Sequence, residues 1–138
     1  MRTDIVAAGI LIEHGRVLLS RRKEGTHLAG SWEFPGGKAE AGEDPRAALR
    51  RELEEELGIR TRVGEIVDVT FHRYDDADKA VLIIFFLAER EEGSPAPRAI
   101  DVAEVAWRGA DDLAPNAFPP ADLAVLAKVR ARLERAPQ

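Results

Sequence analysis

A chain of 138 residues and 15.2 kDa with 45% hydrophobic residues has the size and apolar content of one compact domain over residues 1–138. No apolar run nears the roughly 20 residues that cross a bilayer, and the opening MRTDIVAAGI lacks a secretory pattern, so a cytoplasmic protein with no membrane partner is expected. The absence of cysteine excludes disulfides, thiolate-held metals and a cysteine nucleophile, and 25 acids against 20 Lys and Arg, net −5, argue against binding to large nucleic acids.

In chain order, the apolar run Asp4–Ile12, the turn residues Glu13–Gly15 and the apolar Val17, Leu18 and Leu19 predict a β-hairpin. From Lys23 to Gly42 glycine and charge dominate without periodicity, apart from the aromatic pair Trp32 and Phe34, which predicts a long structured loop. Asp44 followed by Pro45 is an N-cap with proline in the first helical position, and Gly58 is a stop, so a helix is expected over Pro45–Leu57. Ile66–His72, Ala80–Ala88 and Val102–Trp107 read as strands, the second apolar enough for burial on both faces. Leu123, Leu126, Val129 and Leu133 recur at three- and four-residue spacing after Pro119 and Pro120, predicting an amphipathic C-terminal helix.

The chemistry concentrates between Gly36 and Ile59, where seven acids face four bases after Gly36 and account for three of the five net negative charges. At about 100° per residue, Glu52, Glu55 and Glu56 fall within an arc of roughly 100° on the helix, beside an apolar stripe of Leu49, Leu53 and Leu57. One stripe packs and the other presents carboxylates. Crowded carboxylates raise one another's pKa unless a cation neutralises them, and such hard oxygen ligands suit Mg²⁺ or Mn²⁺. Arg51, four residues before Glu55, is placed to brace it by an ion pair. An isolated acidic run of this kind is ordinarily a solvated helix face; here Gly36, Gly37, Glu43, Arg51 and Gly58 accompany it.

Read from Gly37, the pattern is Gly, five residues, Glu43, seven residues, Arg51-Glu52-Leu53, one residue, Glu55-Glu56, one residue, Gly58-Ile59. It resembles the signature of the Nudix hydrolases at every fixed position. The resemblance extends to the MutT branch through Ser20-Arg21-Arg22, Thr26–Gly30, Trp32–Lys38, Phe118–Asp122 and the helical stretch after it, and so spans most of the chain. It implies an α/β fold, the Nudix α/β/α sandwich with a mixed β-sheet between helices. It also implies hydrolysis of nucleoside triphosphates to monophosphate and pyrophosphate, by metal-assisted attack of water on the β phosphorus.

On this resemblance Glu52, Glu55 and Glu56 are the expected metal ligands, with the carbonyl of Gly36 close by and Glu52 the leading candidate for general base. Asp101, six residues before Trp107, or Glu104, three before it, is the expected extra carboxylate, with Asp101 the first choice and a surface charge the alternative for either. Arg22 and Lys38 are the expected phosphate contacts, Phe34, Lys79 and Asp122 the residues expected near the base, with Trp32 a further aromatic there, and His27 a further substrate-binding candidate, with a solvated loop histidine as its alternative. His14 and His72 have no ligand partner at recognisable spacing and receive no role.

Asp122 stands where MutT carries an asparagine that helps recognise oxidised guanine, and Lys79 where it carries an arginine. An ionised aspartate only accepts hydrogen bonds and suits the amino group of cytosine, whereas a protonated one also donates, as oxidised guanine requires. Both bases therefore stay open, and so do two other functions: hydrolysis of another nucleoside diphosphate derivative, and a module that binds nucleotides without turnover.

Overall fold

The computed structural model describes residues 1–135. Its strands are β1 (Arg2–Ile10), β2 (Ile12–Glu13), β3 (Arg16–Arg21), β4 (Trp32–Glu33), β5 (Gly36–Lys38), β6 (Thr61–Tyr74), β7 (Lys79–Arg90) and β8 (Glu104–Arg108). Its helices are α1 (Pro45–Leu57) and α2 (Leu123–Arg135). The main sheet runs β5-β1-β7-β6, with β1 and β7 parallel and the outer pairs antiparallel, the expected mixed sheet. A smaller antiparallel sheet is built around β3, which pairs with β2, β4 and β8.

Several sequence expectations need adjustment. The strand expected over Asp4–Ile12 breaks at Leu11, where the Leu11 carbonyl accepts from the Leu18 amide at 2.9 Å and the chain passes from the main sheet to the small one. The loop expected over Lys23–Gly42 contains β4 and β5, which are too short to show a period yet clip this segment to β3 and β1. The β6–β7 hairpin also outgrows the expected strands, because its polar outer residues still pair in the ladder.

Each face of the main sheet packs on one helix. Ala7 and Leu11 of the first strand region join Leu49, Leu53, Leu57 and Phe86 on the α1 side. The alternate residues Ala8 and Ile10 join Phe85, Val125, Leu126, Val129 and Leu133 on the α2 side. α1 starts as its sequence requires: the Asp44 side chain accepts from the Arg46 amide at 3.1 Å, and Gly58 ends it in the left-handed conformation at φ 70°.

Gly36 is demanded by the β1–β5 pairing. A Cβ there would sit 2.0 Å from the Ala7 carbonyl oxygen, so only glycine lets β5 close on β1 and bring Gly37 and Lys38 to the sheet's edge.

Candidate active site

The register of the main sheet defines the floor of a cavity of about 400 Å³ on the α2 side. Val6 of β1 lies opposite Ile83 of β7 and Lys38 of β5, and Ala8 lies opposite Phe85 and Gly36. One step along the same face, Asp4 lies beside Val81, then Arg2 beside Lys79, which pairs in turn with Tyr74. Small and apolar residues thus form the middle of the floor, and charges rim it. The walls come from elsewhere: Arg22, His27 and Leu28 after β3, Glu33 and Phe34 around β4, Glu56 of α1, and Pro119 and Asp122 before α2.

At one end stands the acidic face of α1, organised by Arg51. Its guanidinium donates to both carboxylate oxygens of Glu43 at 2.9 Å, to Glu52 at 2.9 Å, to Glu55 at 3.2 Å and to the Lys38 carbonyl at 3.3 Å. The ion pair foreseen with Glu55 is one contact of a wider brace that ties the loop before α1 to the helix. The hydrogen bonds from Arg51, then that from the Glu40 amide, hold the Glu43 carboxyl down to about 2, and Glu43 and Glu52 in turn raise the Arg51 pKa. Gly37 leaves room for this arrangement, because a Cβ there would fall 2.4–2.5 Å from the Glu52 carboxylate.

Glu56 faces the opposite situation. Burial first, then its hydrogen bond with Glu52 and the charges of Glu52, Glu33 and Asp101, push its carboxyl up to about 9. Asp101 is delivered by the end of α1: the Glu56 carbonyl, unsatisfied within the helix, accepts from the Ile100 and Asp101 amides at 3.0 and 3.1 Å. Asp101 consequently lines a small cavity of about 240 Å³ with Glu52, Glu56, Glu33 and Arg22, while its carboxylate pairs with Lys23. Glu104, the other candidate, lies in none of these cavities and pairs at 2.7 Å with Arg21 on the small sheet.

Among the described residues no three acidic or histidine side chains already converge as a cation cage, since Glu52 and Glu55 turn toward Arg51. The donor set nevertheless fits a hard divalent cation. Carboxylates are the ligands Mg²⁺ prefers, and Glu56, whose carboxyl is raised by burial and then by Glu52, Glu33 and Asp101, is a group whose charged form a cation would stabilise.

The other side of the cavity holds a buried acid, Asp122, and a half-buried one, Glu33, beside one arginine. Burial, then the charge of Glu33, pushes the Asp122 carboxyl up to about 8, and Arg22 pulls it partly back. Burial likewise raises Glu33, against the pull of the Arg22 guanidinium 3.5 Å away. Arg22 also donates to the His27 carbonyl at 3.0 Å and so organises the loop that carries His27. His27 reaches Asp76 at 2.9 Å and sets its ring edge-on to Tyr74, 5.0 Å between centroids. Phe34 is buried against Phe118 and Phe85.

The cavity therefore gathers Arg22, His27, Phe34, Gly36, Lys38, Glu56, Lys79 and Asp122 from the expected set. Glu52, Arg51 and Asp101 line neighbouring cavities, and Glu55 stands on the open side of the helix with its side chain 57% exposed. Trp32 is not among the lining residues; it stacks under the Arg108 guanidinium at 5.2 Å on the small sheet. Sequence reasoning missed Asp4, Glu33 and Tyr74. A lone acid in the first apolar strand was a visible signal for Asp4, whereas the place of Tyr74 follows only from its pairing with Lys79.

The NUDIX domain family matches residues 1–129. The chain is 36% identical over 126 residues to the 8-oxo-dGTP diphosphatase of Escherichia coli K12, covering 91% of this chain and 95% of that one. It is 52% identical over 67 residues to the CTP pyrophosphohydrolase of the same organism, covering 49% of this chain and 50% of that one. The solution structure of the E. coli ORF135 protein superposes with a TM-score of 0.78 at 31% identity, covering 100% and 96% of the two chains. The complete box at the cavity's end, the mixed sheet that carries it and these matches agree: the chain belongs to the Nudix hydrolase family, in its MutT-like branch.

Proposed function

We propose that this Nudix hydrolase cleaves nucleoside triphosphates to the monophosphate and pyrophosphate, with an oxidised guanine nucleotide such as 8-oxo-dGTP as its preferred substrate. The observation that carries this reading is one cavity with an apolar floor that joins a buried hydrogen-bonding group, Asp122, to the acidic helix at Glu56. Its volume is within the range of pockets that enclose small ligands. Below pH 8 Asp122 retains its proton and both donates and accepts, as the mixed edge of oxidised guanine requires. The E. coli 8-oxo-dGTP diphosphatase, matched over most of both chains, agrees with this reading.

In this reading the base rests on Val6, Val81 and Ile83 near Phe34 and Lys79, with Asp122 at its edge and His27 beside it. Arg22 and Lys38 face the phosphates. A divalent cation held by Glu52, Glu55 and Glu56, with Asp101 and the Gly36 carbonyl beside them, would neutralise phosphate oxygens and lower the pKa of the attacking water. Glu52 accepts the proton of that water, and Arg51 keeps Glu52 and Glu55 in place. The water oxygen bonds to the β phosphorus and the bond from that phosphorus to the α–β bridging oxygen breaks.

The cytidine reading has its own support, the partial match to a CTP pyrophosphohydrolase, and it requires Asp122 in its ionised form. Pyrophosphate release with Mg²⁺ from oxidised and unmodified dGTP, CTP and 5-methyl-CTP separates the two. Oxidised dGTP is expected to be the best substrate, and Glu55→Gln is expected to lose about a hundred-fold in rate. Full activity in Glu55→Gln would remove that carboxylate from the metal set, and no pyrophosphate from any triphosphate would point to another diphosphate substrate.

A further inference from the structure

We propose that Asp4 is a positioning residue that holds the Lys38 ammonium at the partition between two cavities, where it meets the triphosphate. The inference rests on the reading of the main cavity as the nucleotide site.

Lys38 ends the short strand β5. Its backbone is pinned opposite Val6, and the following amide, Ala39, donates to the Ile5 carbonyl at 2.8 Å. Its side chain is 60% exposed and has four rotatable bonds, so the strand alone does not decide where the charge goes. Asp4 decides it. Asp4 is two residues from Val6 on the same face of β1, diagonal to Lys38, and its carboxylate lies 3.3 Å from the Lys38 ammonium.

Asp4 is itself unusual as a charge 8% exposed on an otherwise apolar floor. Burial pushes its carboxyl up, and the hydrogen bonds and charges of Arg2 and Lys38 more than offset this, so it stays ionised below the ordinary carboxylate range. Arg2 donates to its two oxygens at 3.2 and 3.4 Å from the other side. The acid is thus fixed between two cations, and only Lys38 stands on the side of the box.

The place is significant because Asp4 and Lys38 line both the main cavity and a second, more open one of about 710 Å³. The second cavity is walled by Thr3, Ala39, Glu43, Arg51 and Glu52, so it reaches the acidic helix from the side opposite the base. A triphosphate whose base lies on the apolar floor runs toward this partition with its distal phosphates. An ammonium held there meets phosphate oxygens without a search through its rotamers.

Simple electrostatics predicts the opposite consequence for loss of Asp4. Removing a negative charge beside an anionic substrate should tighten binding, whereas losing a positioning group should weaken it. Steady-state pyrophosphate release from the best triphosphate of the panel above, measured for wild type, Asp4→Asn, Lys38→Gln and the double variant, discriminates between them. Asp4→Asn is expected to raise KM about five-fold with kcat within two-fold, Lys38→Gln to raise it as much or more, and Asp4→Asn to add nothing once Lys38 is gone. A lower or unchanged KM in Asp4→Asn, or additive effects in the double variant, overturns the proposal. Lys38→Gln alters an exposed side chain, so an unchanged KM there overturns it even if Asp4→Asn fails to fold. Absence of release by wild type would defeat the reading of the cavity itself, and this inference with it.

Discussion

The two ends of the cavity are built in different ways. The acidic end comes from one continuous segment, Gly36–Gly58, in which a turn, a capped helix and an arginine brace set the carboxylates by local geometry. The other end assembles Tyr74, Lys79 and Asp122 from β6, β7 and the turn before α2, with Glu33 of β4 and Arg22 just after β3 standing between it and Glu56, so its electrostatics depend on how the whole fold closes. Burial acts at both ends and with different consequences. At Glu56 it produces a crowded acid that a cation relieves; at Asp122 it produces a hydrogen-bonding group whose character changes near neutral pH. The signature residues shared with the family thus lie on the local end, and under the proposed function the choice among bases lies on the assembled end.

The comparison can be broken first at the local end. Glu52→Gln, which removes both a candidate ligand and the candidate base, is expected to lower kcat about a thousand-fold while the thermal midpoint stays near that of wild type. A loss under ten-fold would take Glu52 out of the reacting group. Gly37→Ala tests whether the room left beside Glu52 is used: a Cβ 2.4–2.5 Å from its carboxylate must displace it, and about a hundred-fold loss in kcat/KM is expected, with circular dichroism unchanged. If activity survives, Glu52 tolerates displacement and the local end is less strict than its geometry suggests.

The assembled end should respond in preference rather than in rate. Asp122→Asn is expected to change the ratio of kcat/KM for oxidised dGTP over CTP by about ten-fold when measured above pH 8 and by less below it. The sign follows from the raised pKa. Below about 8 the wild-type carboxyl keeps its proton and resembles the amide; above it the ionised group only accepts and favours the cytosine amino group. The wild-type ratio should fall as pH rises through this range, and the Asn variant should show no such fall. Equal ratios for both proteins at every pH would remove Asp122 from base selection.

Much of the local end was legible in the chain itself. Asp44, Pro45 and Gly58 mark the limits of α1 because capping and left-handed backbone are chemistry of single residues, and the leucine stripe follows from a fixed angular step. Asp101 was legible only as one of two candidates. The fold brings Asp101 beside Glu56, whose unsatisfied carbonyl captures the amides of Ile100 and Asp101, and leaves Glu104 on the small sheet; each carboxylate pairs with a cation, Lys23 and Arg21 respectively. Trp32 and Phe34 read alike as aromatics in one loop, yet Trp32 is held in β4 under Arg108, whereas Phe34, past the end of that strand, lines the cavity.

The helix and the apolar and acidic stripes on it are fixed by the chain alone, since each depends on residues a few positions apart, whereas the need for Gly36 against Ala7 and Gly37 against Glu52 arises in the fold. Only the tertiary structure decided that Asp4 meets Lys38, that Glu33 and Asp122 share one arginine, and that their carboxyls are raised. Those properties arise from strand register and from removal of water, and both require distant segments to pack before any of the groups feels the others.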